Sequence, residues 1–147
     1  MKERRARTRA RELALQYLYA SDLRGDGSLE AFDRVLAMMN DEEPVPPSAS
    51  TYARTLVEGV FSRKRELDTE IAHAAKNWDL DRMAAVDRNV LRLALYELRH
   101  QPDVPPKVAI NEAVDLGKAF STGETGAFVN GILDTLARTG TAPDRAL

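Results

Sequence analysis

The stretch Asp81-Arg-Met-Ala-Ala-Val-Asp-Arg-Asn-Val-Leu-Arg-Leu-Ala-Leu-Tyr-Glu-Leu-Arg99 decides the fold. Wound as a helix, it carries Met83, Val86, Val90, Leu91, Leu93, Ala94, Leu95 and Leu98 around most of its circumference. A helix that is apolar nearly all round must be surrounded by other elements. Residues 81–99 are therefore expected to form the central core helix, with Asp79 or Asp81 as its cap.

Outward from this helix the chain reads as helices on both sides. After it, Gln101 to Pro106 is a turn with three prolines, and Pro106 suits the first position of a helix. The inner face of that helix is expected to be Val108, Ala109, Ala113, Val114 and Gly117. The loop Ser121–Gly126 precedes a last helix, about Ala127 to Arg138, burying Phe128, Val129, Ile132, Leu133 and Leu136. The tail, 141–147, is expected to fray.

Before the central helix, Tyr52, Leu56, Val60, Leu67, Ile71, Ala74 and Trp78 keep a helical period. Two helices broken near Ser62–Arg65 are preferred to one. Asn40 to Ala49, with three prolines and three acids, is expected to be a linker. Ser28 is placed to cap a helix whose buried face is Leu29, Phe32, Leu36 and Met39. Helix one runs from about Glu3 to Asp22, with Ala6, Ala10, Leu13, Ala14, Tyr17 and Leu18 inward.

The composition agrees with this reading. The chain has 147 residues, 44% hydrophobic and 30% charged, and no Cys. That is globular, and large enough for a core without disulfides, which the lack of Cys excludes together with thiolate metal sites. Ala and Leu total 38 residues against 13 for Val and Ile, a helical bias. No strand pattern or repeat is visible. The fold class is all-α, with six to seven helices in one domain over 1–140. No apolar run is long enough to span a membrane. The basic start is not followed by an uninterrupted apolar stretch, because Glu12, Gln16 and Asp22 break it. A cytoplasmic protein is expected.

The net charge of −2 hides an asymmetry: residues 1–11 carry +5 and the remainder −7. A basic arm on an acidic body points to a polyanionic partner. The outer stripe of helix one is Arg5, Arg9, Glu12, Gln16 and Tyr19. Single-stranded nucleic acid needs cations for phosphates and flat or amide groups for bases. Arg5 and Arg9 meet the first need, and Gln16 and Tyr19 the second. Arg4, Arg7 and Arg11 are expected to widen the patch. A second candidate is the start of the last helix, where the amides of Gly126 and Ala127 form an anion site. Thr125 adds a hydroxyl there, and Glu124 can accept from a base amino group. Charge alone leaves RNA and DNA open.

Other chemistries find less support. Two E-x-x-H motifs, Glu70 to His73 and Glu97 to His100, are the units of di-iron bundles. That arrangement needs a Glu-bearing helix between them, which is missing. A solvent-facing Glu70–His73 pair and a helix-terminal His100 are preferred, with no metal and no cofactor. No nucleotide-binding glycine pattern or nucleophile motif occurs, so no enzyme is expected. Asn111, Asn130 and Trp78 are read as structural.

Several segments together resemble the NusB family of bacterial transcription antitermination factors. They are Arg7-Thr-Arg-Ala-Arg-Glu12 with Gln16 and Tyr19, Asn77-Trp-Asp-Leu-Asp-Arg82, Val86 to Leu98, Asp103-Val-Pro-Pro-Lys-Val-Ala-Ile-Asn-Glu-Ala113, and Phe128-Val-Asn-Gly-Ile-Leu-Asp134. The resemblance covers residues 4–137. It implies two packed helical subbundles. It also implies binding of the boxA element of ribosomal RNA leader transcripts, together with the small-subunit ribosomal protein NusE. Other Nus factors and RNA polymerase are then partners, and termination is suppressed. RNA contacts are implied for Arg5, Arg7, Arg9 and Arg11, with Gln16 and Tyr19 nearby, and for Glu124, Thr125 and Phe128. The family often carries a basic residue where this chain has Ala127, which weakens the second patch. The alternatives are a helical protein-interaction scaffold without RNA contact, and the same module as part of an RNA cytosine methyltransferase. The second would need a Cys nucleophile, which the chain lacks.

Overall fold

A computed structural model describes residues 2–76, 79–121 and 125–139. All regular structure among these residues is helical: α1 (Lys2–Arg24), α2 (Leu29–Glu42), α3 (Pro47–Ala74), α4 (Ala85–His100), α5 (Pro106–Phe120) and α6 (Thr125–Thr139), with one 3-10 turn at Leu80–Arg82. The chain divides into two compact units, Met1–Ser62 and Arg63–Leu147. The division falls inside α3, where Arg63 leaves helical geometry (φ −119°, ψ 16°). The break expected at Ser62–Arg65 is therefore present. No helix among the described residues is long and apolar enough to cross a membrane.

In the first unit, all six inward positions named for α1 are buried, together with Leu15. Tyr17 organises this core. Its ring lies 5.1 Å from Phe32 and 6.1 Å from Phe61, centroid to centroid, the latter nearly edge-on at 75°. Its hydroxyl donates to the Ser28 carbonyl (3.1 Å) and accepts from the Ser28 amide (3.2 Å). Ser28 in turn caps α2, its hydroxyl accepting from the Ala31 amide at 3.0 Å. The α1–α2 turn needs Gly27, whose φ is +152° and whose missing Cβ would stand 2.7 Å from Ser21 Cβ. Arg54 on α3 makes a forked bond to Asp33 on α2, and this hydrogen bond holds the guanidinium above its ordinary pKa. Of the face expected for α2, only Phe32 is fully buried; Leu29, Leu36 and Met39 are half-buried.

The expected linker is shorter than its prolines suggested. Helix α2 continues to Glu42 and α3 begins at Pro47, leaving only residues 43–46. Proline is tolerated in a first helical turn, where its missing N–H has no partner to lose. Asn40 secures the crossing, its side-chain carbonyl accepting from the Val45 amide at 2.8 Å.

In the second unit, every residue from Asn89 to Arg99 is buried, and α4, α5 and α6 pack on one another. The central helix is where the sequence puts it. Its start is not: Asp79 caps the 3-10 turn through the Asp81 amide (3.0 Å), and Ala84 precedes α4 without a side-chain cap. Extended backbone at Met83 separates the two pieces. Proline at the start of α5 is as expected. Its inner face is turned from the expected one: Val108 is 40% exposed and Leu116 is buried in its stead. Ala109, Ala113, Leu116 and Gly117 keep a spacing of four, three and one, and Val108 falls beside that stripe. Gly117 allows α5 and α6 to approach, since a Cβ there would stand 2.8 Å from Thr125 Cγ2.

Two buried arginines tie the second unit together. Arg92 forms a bidentate pair with Asp68 (2.7 and 3.0 Å) and donates to Asn89 Oδ1 (3.1 Å). Arg99 pairs with Glu70 (3.0 and 2.9 Å) and donates to the Leu136 carbonyl (3.0 Å). That carbonyl lies near the C-terminus of α6, where a cation also meets the negative end of the helix dipole.

Candidate nucleic-acid interface

Helix α1 presents two faces because its sequence has two stripes at helical spacing. Opposite the buried stripe lie Arg5 and Gln16, exposed, and Tyr19, 37% exposed despite its size. Arg9 and Glu12 are half-exposed between them and approach to 3.7 Å, a weak pair in water. The stripe from position 5 to position 19 covers about 21 Å at the helical rise of ~1.5 Å per residue. Arg4 is exposed at its basic end.

The remaining arginines of α1 are placed differently. Arg7 is half-buried, its guanidinium over the Tyr52 ring at 4.5 Å from the centroid. Arg11 is only 3% exposed and lies 5.9 Å from the same ring. The expectation that Arg11 widens a solvent-facing patch is corrected. Position 11 is four after Arg7, three before Ala14 and seven before Leu18, which puts it on the inner side of the helix. That spacing was readable in the sequence. Tyr52 had been read only as a core position, and the i, i+4 pair Arg7–Arg11 is the signal that an aromatic ring would face it.

At the second candidate, α6 begins at Thr125 rather than Ala127. Thr125 is buried and its hydroxyl donates to Ser121 Oγ at 2.9 Å, so it is already engaged within the loop. Phe128 is half-buried and Ala127 exposed. Glu124 lies outside the described residues, as do Asn77, Trp78 and the tail 141–147. One basic side chain does reach this helix start. Lys118 Cε lies 3.0 Å from where a Cβ on Gly126 would stand, so its stem crosses the first turn of α6. Sequence reading missed it, because Lys118 is eight residues upstream on another helix.

The motifs singled out for other chemistry are used structurally or left exposed. Glu70 is held by Arg99 and is not a purely solvent-facing partner of His73. Glu97 is buried, His73 is exposed, and the His100 ring lies 5.4 Å from Tyr96. No group of three or more His, Cys, Asp or Glu able to hold a metal occurs among the described residues. Asn111 and Asn130 are exposed and make no side-chain hydrogen bond to another described residue, contrary to the structural role expected of them.

Comparison with known proteins agrees with this architecture. The NusB family model matches residues 8–138. A transcription antitermination protein NusB of Myxococcus xanthus is 47% identical over 132 residues, 90% of this chain and 94% of the relative. One of Anaeromyxobacter sp. is 50% identical over 139 residues, 95% and 94% of the two chains. Among solved structures, NusB of T. maritima superimposes with a TM-score of 0.83 at 34% identity, covering 94% of each chain. A structure of antitermination factors NusB and NusE in complex with dsRNA superimposes with a TM-score of 0.82 at 32% identity, covering 92% of this chain and 98% of the other. By its sequence, its helices and their order, the chain belongs to the NusB family.

Proposed function

We propose that the chain is a non-enzymatic antitermination factor of the cytoplasm. It binds the boxA element of ribosomal RNA leader transcripts jointly with the ribosomal protein NusE, and so keeps RNA polymerase, with the other Nus factors, from terminating. The observation that carries this reading is the exposed stripe of α1, with Arg5, Arg9, Gln16 and Tyr19 on one side of a helix whose other side is core, and the exposed Arg4 at its basic end. The cations hold phosphates and the amide and phenol meet bases. Phe128, Lys118 and Thr125 at the start of α6 are further contacts in this reading, and Glu124 is a candidate from the sequence alone.

The mechanism is coincidence detection. Each set of contacts is weak alone, and the RNA is held firmly only when this chain and the ribosomal protein grip it together. With about four phosphates neutralised, log affinity should fall with log salt at a slope near about −3. The test is titration of boxA RNA with and without the ribosomal protein, across a salt series. Replacing Arg4, Arg5 and Arg9 by Ala should flatten that slope by about 2. An unchanged slope and affinity would remove the proposal.

A further inference from the structure

The first unit contains a groove of about 390 Å³ between the basic end of α1 and the start of α3. That volume falls in the range of ~300–1,000 Å³ typical of small-ligand clefts. Ala6 and Pro47 give it apolar walls, and Arg7, Tyr52 and three hydroxyl residues, Ser48, Thr51 and Thr55, complete it. We infer that this groove receives one unstacked base of the bound RNA, laid against the Arg7 guanidinium that Tyr52 supports from beneath.

Four features favour a base over other occupants. Arg7 lines the groove and its guanidinium lies over the Tyr52 ring at 4.5 Å, so a planar cation is held in place at the groove wall. Guanidinium planes are stacking platforms for splayed-out bases. The Ser48 and Thr51 hydroxyls make no hydrogen bond to another described residue, and the Thr55 hydroxyl donates to the Thr51 carbonyl at 3.1 Å, keeping lone pairs to offer. Hydroxyls that both donate and accept suit the polar edge of a base. Finally, the described lining sets its cation, already placed over the Tyr52 ring, beside the apolar Ala6 and Pro47, which suit the flat face of a base better than a hydrated phosphate. A phosphate site stands next to it instead, since the exposed Arg4 lies one turn before Arg7 on the same face of α1. Arg11, buried against the same ring at 5.9 Å, is a positioning residue that fixes Tyr52.

This inference rests on the RNA-binding reading and deepens it by naming where one base goes. The experiment is an abasic scan. A boxA RNA is made with a single abasic nucleotide moved along it, and each RNA is titrated with the chain and its ribosomal partner. One position should weaken binding about tenfold, the order of one lost base-stacking contact. In Thr51→Trp, where an exposed residue fills the groove, intact RNA should bind about tenfold more weakly and the penalty at that one position should vanish. Penalties at other positions and the salt slope should stay as they were. The paired variant Ser48→Ala, Thr51→Ala keeps the groove open and should lose discrimination among bases at that position only. If Thr51→Trp binds intact and abasic RNAs like the unsubstituted chain, the groove is empty in the complex and the inference is overturned. The RNA-binding reading then still stands if the Arg4, Arg5, Arg9 variant loses salt slope, and falls with it if that variant also binds normally.

Discussion

Helices α1 and α4 are both rich in arginine, and they use it in opposite ways. On α4, Arg92 and Arg99 are buried and each is neutralised by a carboxylate from α3 in forked geometry. On α1, Arg4 and Arg5 are in water. The difference is angular position on the helix, not composition. An arginine at the core stripe must bring its counter-charge or its aromatic support with it, because an unpaired buried charge is costly. An arginine on the opposite stripe is free of that constraint and remains available to a partner. Arg11 shows that the rule cuts across the helices: it belongs to α1 by sequence and to the buried class by placement.

Breaking the α4 kind should cost stability and nothing else. Arg92→Ala leaves Asp68 and Asn89 Oδ1 without their donor and should destabilise the fold by about 3–5 kcal/mol, read by denaturant unfolding. Breaking the α1 kind should do the reverse. The combined Arg4→Ala, Arg5→Ala, Arg9→Ala variant should lose about fiftyfold in boxA affinity at 0.15 M salt, from a slope change of about 2, with its melting temperature nearly unchanged. Arg11→Ala sharpens the comparison, since it lies on the helix proposed to bind RNA but in the core. It should cost about 1–2 kcal/mol of stability through lost packing on Tyr52, and its salt slope should match that of the unsubstituted chain. The smallest effect belongs to the cap: Ser28→Ala should cost about 1 kcal/mol in unfolding and leave RNA binding alone.

The same angular logic explains what the sequence disclosed. Apolar residues all round 90–98 admit one solution, burial, and α4 is buried. The inner stripe of α1 is equally plain because small and large apolar residues alternate with charge at spacings of three and four. The break in α3 announces itself by a charged cluster between two apolar periods. Elements governed by single local bonds were harder to read. Asp79 caps a 3-10 turn because the chain turns extended again at Met83, a backbone choice that no side-chain pattern encodes. Val108 and Leu116 exchange roles because the α5 stripe is short and a rotation by one residue preserves its period. At the proposed binding surface, the exposed stripe of α1 was visible in full. The groove behind Arg7 was not, because its walls come from residues 6–7 and 47–55, and only folding brings them together.

The most direct test of the exposed α1 stripe is a photocrosslink. A boxA RNA carrying photoreactive pyrimidines, bound to the chain with its ribosomal partner and then digested, should place crosslinked peptides on α1, at Gln16 and Tyr19 above all. Crosslinks confined to peptides outside α1 would contradict the assignment of the RNA to this helix.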